Sequence, residues 1–392
     1  MTHIVRAFAA SAFPLTITIL VAAGCAPLGP SGCPACQECQ PCALPPKAGD
    51  AKYEAAALAS IPGWPGANLA PGLAAFASAC ARLAPASALR GPCEAARRVP
   101  ADDEPAARRY VEENFAAWLV AAGDGKTEGL ITGYYEPVLA GSLARSGRFR
   151  YPVYGPPDDL IGVDLDSVNP ELKGQRLRGR VQGNKLVPYW TRAEIEAGRV
   201  RPPVLAWVED PVELFFLQIQ GSGQIALASG ERLRLGYADQ NGHPYRSLGR
   251  TLIQRGELRF EQSSMQGIKA WAAANPGKLR EALDSNPSYV FFRELPPSNE
   301  GPGQERGPLG TLGVPLTAGY SIAVDARMIP LGAPVFLAST MPLSMQPLER
   351  LMAAQDTGGA IRGAVRADLF WGTGSEAGAL AGRMRQQGRL WI

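Results

Sequence analysis

Three times near the C-terminus an apolar run ends on an aspartate and passes into a glycine-rich turn: Asp325 in SIAVDARMIPLG, Asp356 in AAQDTGGAIRG and Asp368 in AVRADLFWGTG. Such runs read as buried strands, and the glycines mark where the backbone must turn in the open. Each strand end then offers a carboxyl group to a groove outside the sheet. With Gly 44 and Pro 35 in 392 residues, turn formers are dense throughout, which favours short strands and many loops over a helical bundle. Hydrophobic residues at 46% and charged residues at 19% describe a globular chain, long enough for two domains.

Carboxyls are also nearly the only acid–base groups present. The chain has two histidines, and His3 lies in a segment expected to be removed, which leaves His243. One histidine excludes a zinc site built on two or three histidines but leaves a Ser–His–Asp arrangement open. Proton transfer is therefore expected to run on Asp or Glu. A net charge of +3 is too small to argue for nucleic acid, though it suits an anionic polymer.

Residues 1–24 read as an export signal, with an apolar run from Ala7 to Ala23 broken by Pro14. The run is short for a membrane span. Ala22-Ala23-Gly24-Cys25 resembles the cleavage site of bacterial lipoproteins, in which the cysteine is acylated, and Ala26 resembles lipoproteins sent to the outer membrane. Residues 25–52 read as a Cys- and Pro-rich linker. In an oxidising compartment Cys33, Cys36, Cys39 and Cys42 are better read as a cross-linked or flexible tether than as a metal site. Cys80 and Cys93 are candidates to pair.

Downstream, a helix is expected after Asp102-Asp103-Glu104-Pro105, with Tyr110, Phe115, Trp118 and Leu119 recurring at helical spacing up to Gly123-Asp124-Gly125. GLITGYYEPVL reads as a strand that brings Tyr134 and Tyr135 to a turn. From 140 to about 284 short β-rich runs follow, among them VELFFLQIQGSGQIAL, closed by helices around Ser247–Arg255 and Gln262–Leu283. Asn241-Gly242 is a hairpin signal in which His243 orders the turn. NPSYVFFRE restarts a strand, and a glycine-rich loop runs from Gly301 to Gly313. SEAGALAGRMRQQG reads as a helix capped by Ser375, before a terminal strand RLWI.

AVDARMIPLG, AAQDTGGAIRG and RADLFWGTGSEAGALAGR together resemble the three-aspartate domain, a double-psi β-barrel. GYYEP, FFLQIQGSGQI, YADQNGHPYRSLG and NPSYVFF are similar to the rest of the membrane-bound lytic murein transglycosylase A family. The resemblance runs from about Tyr53 to Ile392. It implies a mainly β fold with peripheral helices: a barrel domain of residues 53–139 and 286–392, with a second β-domain, 140–285, inserted to form the other wall of a glycan groove. It implies cleavage of the β-1,4 bond between N-acetylmuramic acid and N-acetylglucosamine in peptidoglycan. The muramic acid C6 hydroxyl attacks C1 and leaves a 1,6-anhydro sugar. The family's catalytic aspartate falls on Asp368, and the other two on Asp356 and Asp325. Candidate glycan contacts are Tyr134, Tyr135, Glu136, Gln220, Gly221, Ser222, Gly223, Gly358, Gly359 and Trp371. No metal and no organic cofactor are implied. The implied partners are peptidoglycan strands and the outer membrane, reached through a lipid on Cys25. Cell-wall synthesis or division complexes are further candidates.

The chemistry agrees with that mapping. Protonating a leaving group needs a carboxylic acid of raised pKa, and burial beside Phe370 and Trp371 with like charge nearby would raise it. One carboxyl then serves as acid and afterwards as base, so a second is dispensable. Asp325 and Asp356 would stabilise charge at C1, orient Asp368, or simply cap turns. Two other readings stay open. Asp356-Thr357-Gly358 is the aspartic-peptidase signature, although that site needs two such aspartates. A non-catalytic peptidoglycan-binding lipoprotein would also fit, since fold does not fix function.

Overall fold

The computed structural model describes residues 51–165, 167–169, 177–297 and 307–392. The export signal, Cys25, the Cys33–Cys42 cluster and the 301–306 part of the glycine-rich loop lie outside the described residues. Strands dominate, and helices lie at their periphery.

Six strands pair in a closed order: Gly129–Glu136, Ala367–Thr373, Ser321–Val324, Pro347–Asp356, Pro334–Thr340 and Arg385–Trp391, the last pairing back onto the first. Closure removes both free edges, and the packed interior resists slippage, because a one-residue slip would turn every inward side chain outward. Ile131, Ile322, Val335, Met352, Ala367 and Leu369 belong to that interior. Strand alternation therefore turns Asp368 and Phe370 to the opposite face from Ala367 and Leu369.

Strands Ala51–Ala56 and Ala117–Ala122 extend the ring beyond Arg385–Trp391. Helices Ala70–Ser78, Arg90–Ala96 and Glu104–Asn114 cover Phe336, Leu351 and Trp391 with an apolar layer. Asp103 caps the third of these helices by accepting from the Ala106 amide at 2.9 Å. A disulfide joins Cys80 to Cys93. It ties the turn after the first helix to the second.

Between Val138 and Leu295 the chain builds a second sheet of six strands and a small one of three. Leu139, Val153, Ala206, Val208, Ile225 and Phe292 form the core of the larger sheet, with Leu214 and Leu217 from helix Pro211–Gln220. Pro137 alone separates ring strand Gly129–Glu136 from strand Val138–Ser142 of the second sheet.

Several local expectations are corrected. The helix after Asp103 stops at Asn114, and Trp118 and Leu119 lie in a strand. AWLVAA has partners on both sides, and cross-strand pairing overrides the helical spacing. FFLQIQ is helical rather than extended, because Asp210 caps the amides of Val212 and Glu213 and Pro211 opens the first turn. Ser375 lies inside its helix, the cap position being Gly374, and that helix ends at Ala381 so that the terminal strand starts at Arg385. Asn241-Gly242 makes no hairpin. Asn241 is buried and braces three segments, donating to the carbonyls of Trp190 and Pro287 and accepting from the Tyr289 amide. His243 contacts the Tyr189 carbonyl at 2.7 Å, across to a distant segment rather than within a hairpin turn. Ala51 and Lys52, expected in the linker, already belong to a strand.

Replacing both Cys80 and Cys93 by alanine frees the second helix from the turn behind the first. Loop-closure entropy predicts a loss of about 2–4 kcal/mol in urea unfolding, with little change in the slope m. An unchanged midpoint would contradict it.

Candidate active site

Ring pairing lays four residues side by side. Ala323 pairs with Asp356 on one neighbouring strand and with Asp368 on the other, and Asp368 pairs with Thr132 on the next. At about 4.8 Å between strands, the two aspartate backbones lie about 10 Å apart with only a methyl side chain between them.

Asp368 differs from the other two aspartates in its hydrogen bonding. Its Oδ1 accepts the Thr132 hydroxyl at 2.6 Å. The Thr132 oxygen in turn accepts from the Arg366 guanidinium at 2.8 Å, which fixes the hydroxyl as a donor toward Asp368. Among the described residues Oδ2 takes no hydrogen bond. The side chain keeps a part of its surface open while protein crowds the rest. Burial pushes its carboxyl up to about 6, against the lowering pull of the Thr132 hydroxyl and of Arg366, and the charge on Asp356 adds to the rise. Arg366 is itself held below its ordinary value by burial, with Asp368 pulling the other way.

Asp356 is occupied on both oxygens. Oδ1 accepts from the Thr311 amide and hydroxyl, both at 2.8 Å, and from the Thr357 amide at 2.9 Å. Oδ2 accepts from the Tyr134 hydroxyl at 3.0 Å. Burial, then the charges of Asp356 and Asp368, raise the Tyr134 phenol well above its usual value, so it stays a donor. Its ring leans on Phe370, with centroids 5.4 Å apart.

Asp325 lies just beyond the end of its strand and is 1% exposed. Arg327 grips both its oxygens, at 2.9 and 2.6 Å, and the Gly363 amide donates at 2.9 Å. The Arg327 side-chain bonds are the main cause that holds its carboxyl down at about 2. It ties its own turn to the loop that leads into Asp368, and presents no open oxygen.

The expected glycan contacts divide. Tyr134, Gly358 and Gly359 belong to the aspartate side, and Gly359 has open space where a Cβ would stand. Gln220 accepts from the Tyr135 amide at 3.1 Å, which sets Gly221 and Ser222 against the end of the Thr132 strand. Gly221 is left-handed at φ +77 and open above, and Ser222 is half-buried. The others face elsewhere. Tyr135 is 7% exposed, packs on Ala377 and Ala381 and donates to Met265 Sδ. Glu136 is 1% exposed, accepting from Gln224 and Thr373. Gly223 is buried against Leu217 and Pro137. Trp371 donates to Met384 Sδ and lies over Gly133, so alternation turns it away from the Asp368 face; Phe370 alone flanks the acid. Thr132, Arg366 and Thr311 were not singled out from sequence. Arg366 is two residues before Asp368, a spacing that puts both on one strand face, and this signal was available.

No group of three or more His, Cys, Asp or Glu side chains among the described residues is arranged to hold a metal ion. Asp356-Thr357-Gly358 has no second copy facing it, and both oxygens of its aspartate are engaged.

The chain matches the family described as MltA specific insert domain over residues 130–293, and that described as 3D domain over residues 320–392. Membrane-bound lytic murein transglycosylase A of Escherichia coli K12 is 35% identical over 286 residues, 70% of this chain and 68% of that protein. Among solved structures, MltA from Neisseria gonorrhoeae is 41% identical with a TM-score of 0.76, over 89% of this chain and 95% of that one. Escherichia coli MltA with bound chitohexaose is 28% identical with a TM-score of 0.66, over 89% of this chain and 96% of that one. The fold and these matches define an enzyme of the lytic transglycosylase class. The chain belongs to the membrane-bound lytic murein transglycosylase A family.

Asp325→Asn should lower stability by about 1–3 kcal/mol at pH 7, since Arg327 loses its partner. The folded carboxyl lies near 2 and an unfolded one near 3.9, so the native contribution is full above about pH 4 and is lost as pH falls through 2. The difference from wild type, read by urea unfolding, should shrink across that window; a constant gap would contradict the pairing.

Proposed function

We propose that this protein cleaves the β-1,4 bond between N-acetylmuramic acid and N-acetylglucosamine in peptidoglycan, and forms 1,6-anhydromuramic acid. The observation that carries the reading is that Asp368 alone of the three aspartates keeps an oxygen open, on a carboxyl raised to about 6. Oδ2 gives its proton to the bridging oxygen as the C1–O bond breaks. The carboxylate left behind takes the proton of the C6 hydroxyl as O6 bonds to C1. The acid is restored and no water is consumed. Thr132, itself held by Arg366, donates to Oδ1, so the proton is carried by Oδ2. Asp356, fixed by Thr311, Thr357 and Tyr134, supplies negative charge opposite the cation that develops at C1.

The glycan lies between residues 53–139 with 286–392 on one side and 140–285 on the other. Tyr134, Gly358 and Gly359 meet it from the first wall, and Gln220, Gly221 and Ser222 from the second. Chitohexaose bound to the Escherichia coli relative supports a chain of β-linked sugars as the ligand. Acylation of Cys25 holds the enzyme to the outer membrane. The relatives are named membrane-bound, and no helix among the described residues is long and apolar enough to cross a bilayer.

Asp368→Asn should lower release of anhydro-muropeptides from murein sacculi by at least about 10²-fold while sacculus binding persists. Wild-type-like turnover, or products with a reducing-end muramic acid by mass spectrometry, would rule the mechanism out. The acid must enter protonated, so kcat/KM should fall as pH rises through about 6. Because the folded value exceeds the unfolded one, Asp368 favours folding fully below about pH 4 and loses that contribution as pH rises through 6. Asp368→Asn should therefore be the more stable protein above pH 6, by about 1–2 kcal/mol.

Thr132→Val removes a hydrogen bond that lowers the Asp368 pKa. The falling limb of kcat/KM should move up by about half a unit to one unit. An unmoved limb would show that Thr132 serves only packing.

A further inference from the structure

Strands Pro334–Thr340 and Pro347–Asp356 are joined by MPLSMQ, a turn without a charge. Met345, at 88%, is the most exposed large apolar side chain among the described residues, and Leu343 is 77% exposed. The turn is built rather than frayed. The Met341 amide donates to the Gln346 carbonyl at 2.9 Å, the Ser344 amide to the Met341 carbonyl at 3.2 Å, and the Gln346 amide to the Ser344 hydroxyl at 2.9 Å. Leu343 is held at φ +51, where no other non-glycine residue among those described is found. A bulky residue in that region is strained, and such strain persists where surroundings enforce it.

Single exposed apolar residues are ordinary, so position decides. Glu54, Leu119, Trp391 and Phe336 form one row across four neighbouring strands. From that row Ala51 lies three residues toward one sheet end, and the turn begins five residues toward the same end. The chain arriving from Cys25 thus enters the fold beside the turn. The segment between Cys25 and Ala51 can reach at most about 90 Å. Exposed Arg383 lies three residues before Gln386, whose side-chain amide donates to the Thr340 hydroxyl next to the turn, and it suits anionic headgroups, while Arg385 lies over the Phe260 ring. Strand Pro347–Asp356 runs from the turn to Asp356, and the turn also neighbours the Thr132 strand, since Gln386 donates to the Thr340 hydroxyl at 2.7 Å and pairs with Ile131.

We propose that the Met341–Pro347 turn docks on the lipid surface, Leu343 and Met345 entering the boundary between headgroups and acyl chains. This rests on the membrane-anchored reading of the N-terminus. Two apolar side chains bind a bilayer only weakly alone, but a tether raises their effective concentration, and the pair of signals fixes orientation.

The test uses the full chain carrying Cys25→Ser, with and without Leu343→Asn and Met345→Gln, and vesicles of phosphatidylethanolamine and phosphatidylglycerol. Asparagine tolerates positive φ better than leucine, so melting temperatures should agree within about 2 °C. Removing the two apolar tips should lower vesicle partitioning about tenfold, with sacculus turnover unchanged. Equal partitioning overturns the proposal. So does self-association without vesicles that the tip variant abolishes, which would assign the turn to a second copy. Mass spectrometry of native Cys25 reads the anchor separately: an unacylated Cys25 would remove the anchor while leaving the vesicle comparison standing.

Discussion

The methyl side chain of Ala323 keeps the space between two carboxylates clear. It is 4% exposed and lies in register between Asp356 and Asp368. A longer side chain there would reach into the space between them. In-register pairing across Asp356, Ala323, Asp368 and Thr132 depends on the ring staying closed, since the ring has no edge strand free to slip. Local hydrogen bonds at the site therefore rest on a non-local constraint. The strand that supplies Thr132 and the one that supplies Asp368 are more than two hundred residues apart in sequence.

Within that frame the three aspartates differ by what surrounds each oxygen. Asp325 meets a guanidinium on both oxygens and is driven toward the charged form. Asp356 spends its acceptors on a loop amide, a threonine hydroxyl, its own neighbour's amide and a phenol. Asp368 receives one hydroxyl and is otherwise crowded, so its proton is retained to higher pH. The same side chain thus becomes a clamp, a braced acceptor or a carboxyl that holds its proton to higher pH, according to its partners.

Much of this was legible from short-range chemistry. Glycine-rich turns after apolar runs marked the strand ends that bear the aspartates, and Asp103 with Pro105 marked a helix start. The errors share a cause. Trp118 and Leu119 fit a helix by spacing, yet their strand has partners on both sides, and pairing decided. FFLQIQ reads as extended because its residues are apolar, yet Asp210 and Pro211 carry a helix-start signal that decides its structure. Tyr135, Glu136, Gly223 and Trp371 were grouped with the site by adjacency in sequence. Alternation along a strand sends neighbours to opposite faces, and only the register shows which one meets the groove. Thr132 matters through a strand far off in the chain, whereas Arg366, two residues before Asp368, is legible from its spacing.

Pro137 is the only residue between the strand that holds Thr132 and the first strand of the second sheet. A single residue in trans, with proline's fixed φ, leaves almost no slack. At that seam the second sheet begins one residue after the ring strand ends, so the two are joined there without slack. The seam lies five residues from Thr132, so the join between the two sheets is set close to the hydroxyl that donates to Asp368.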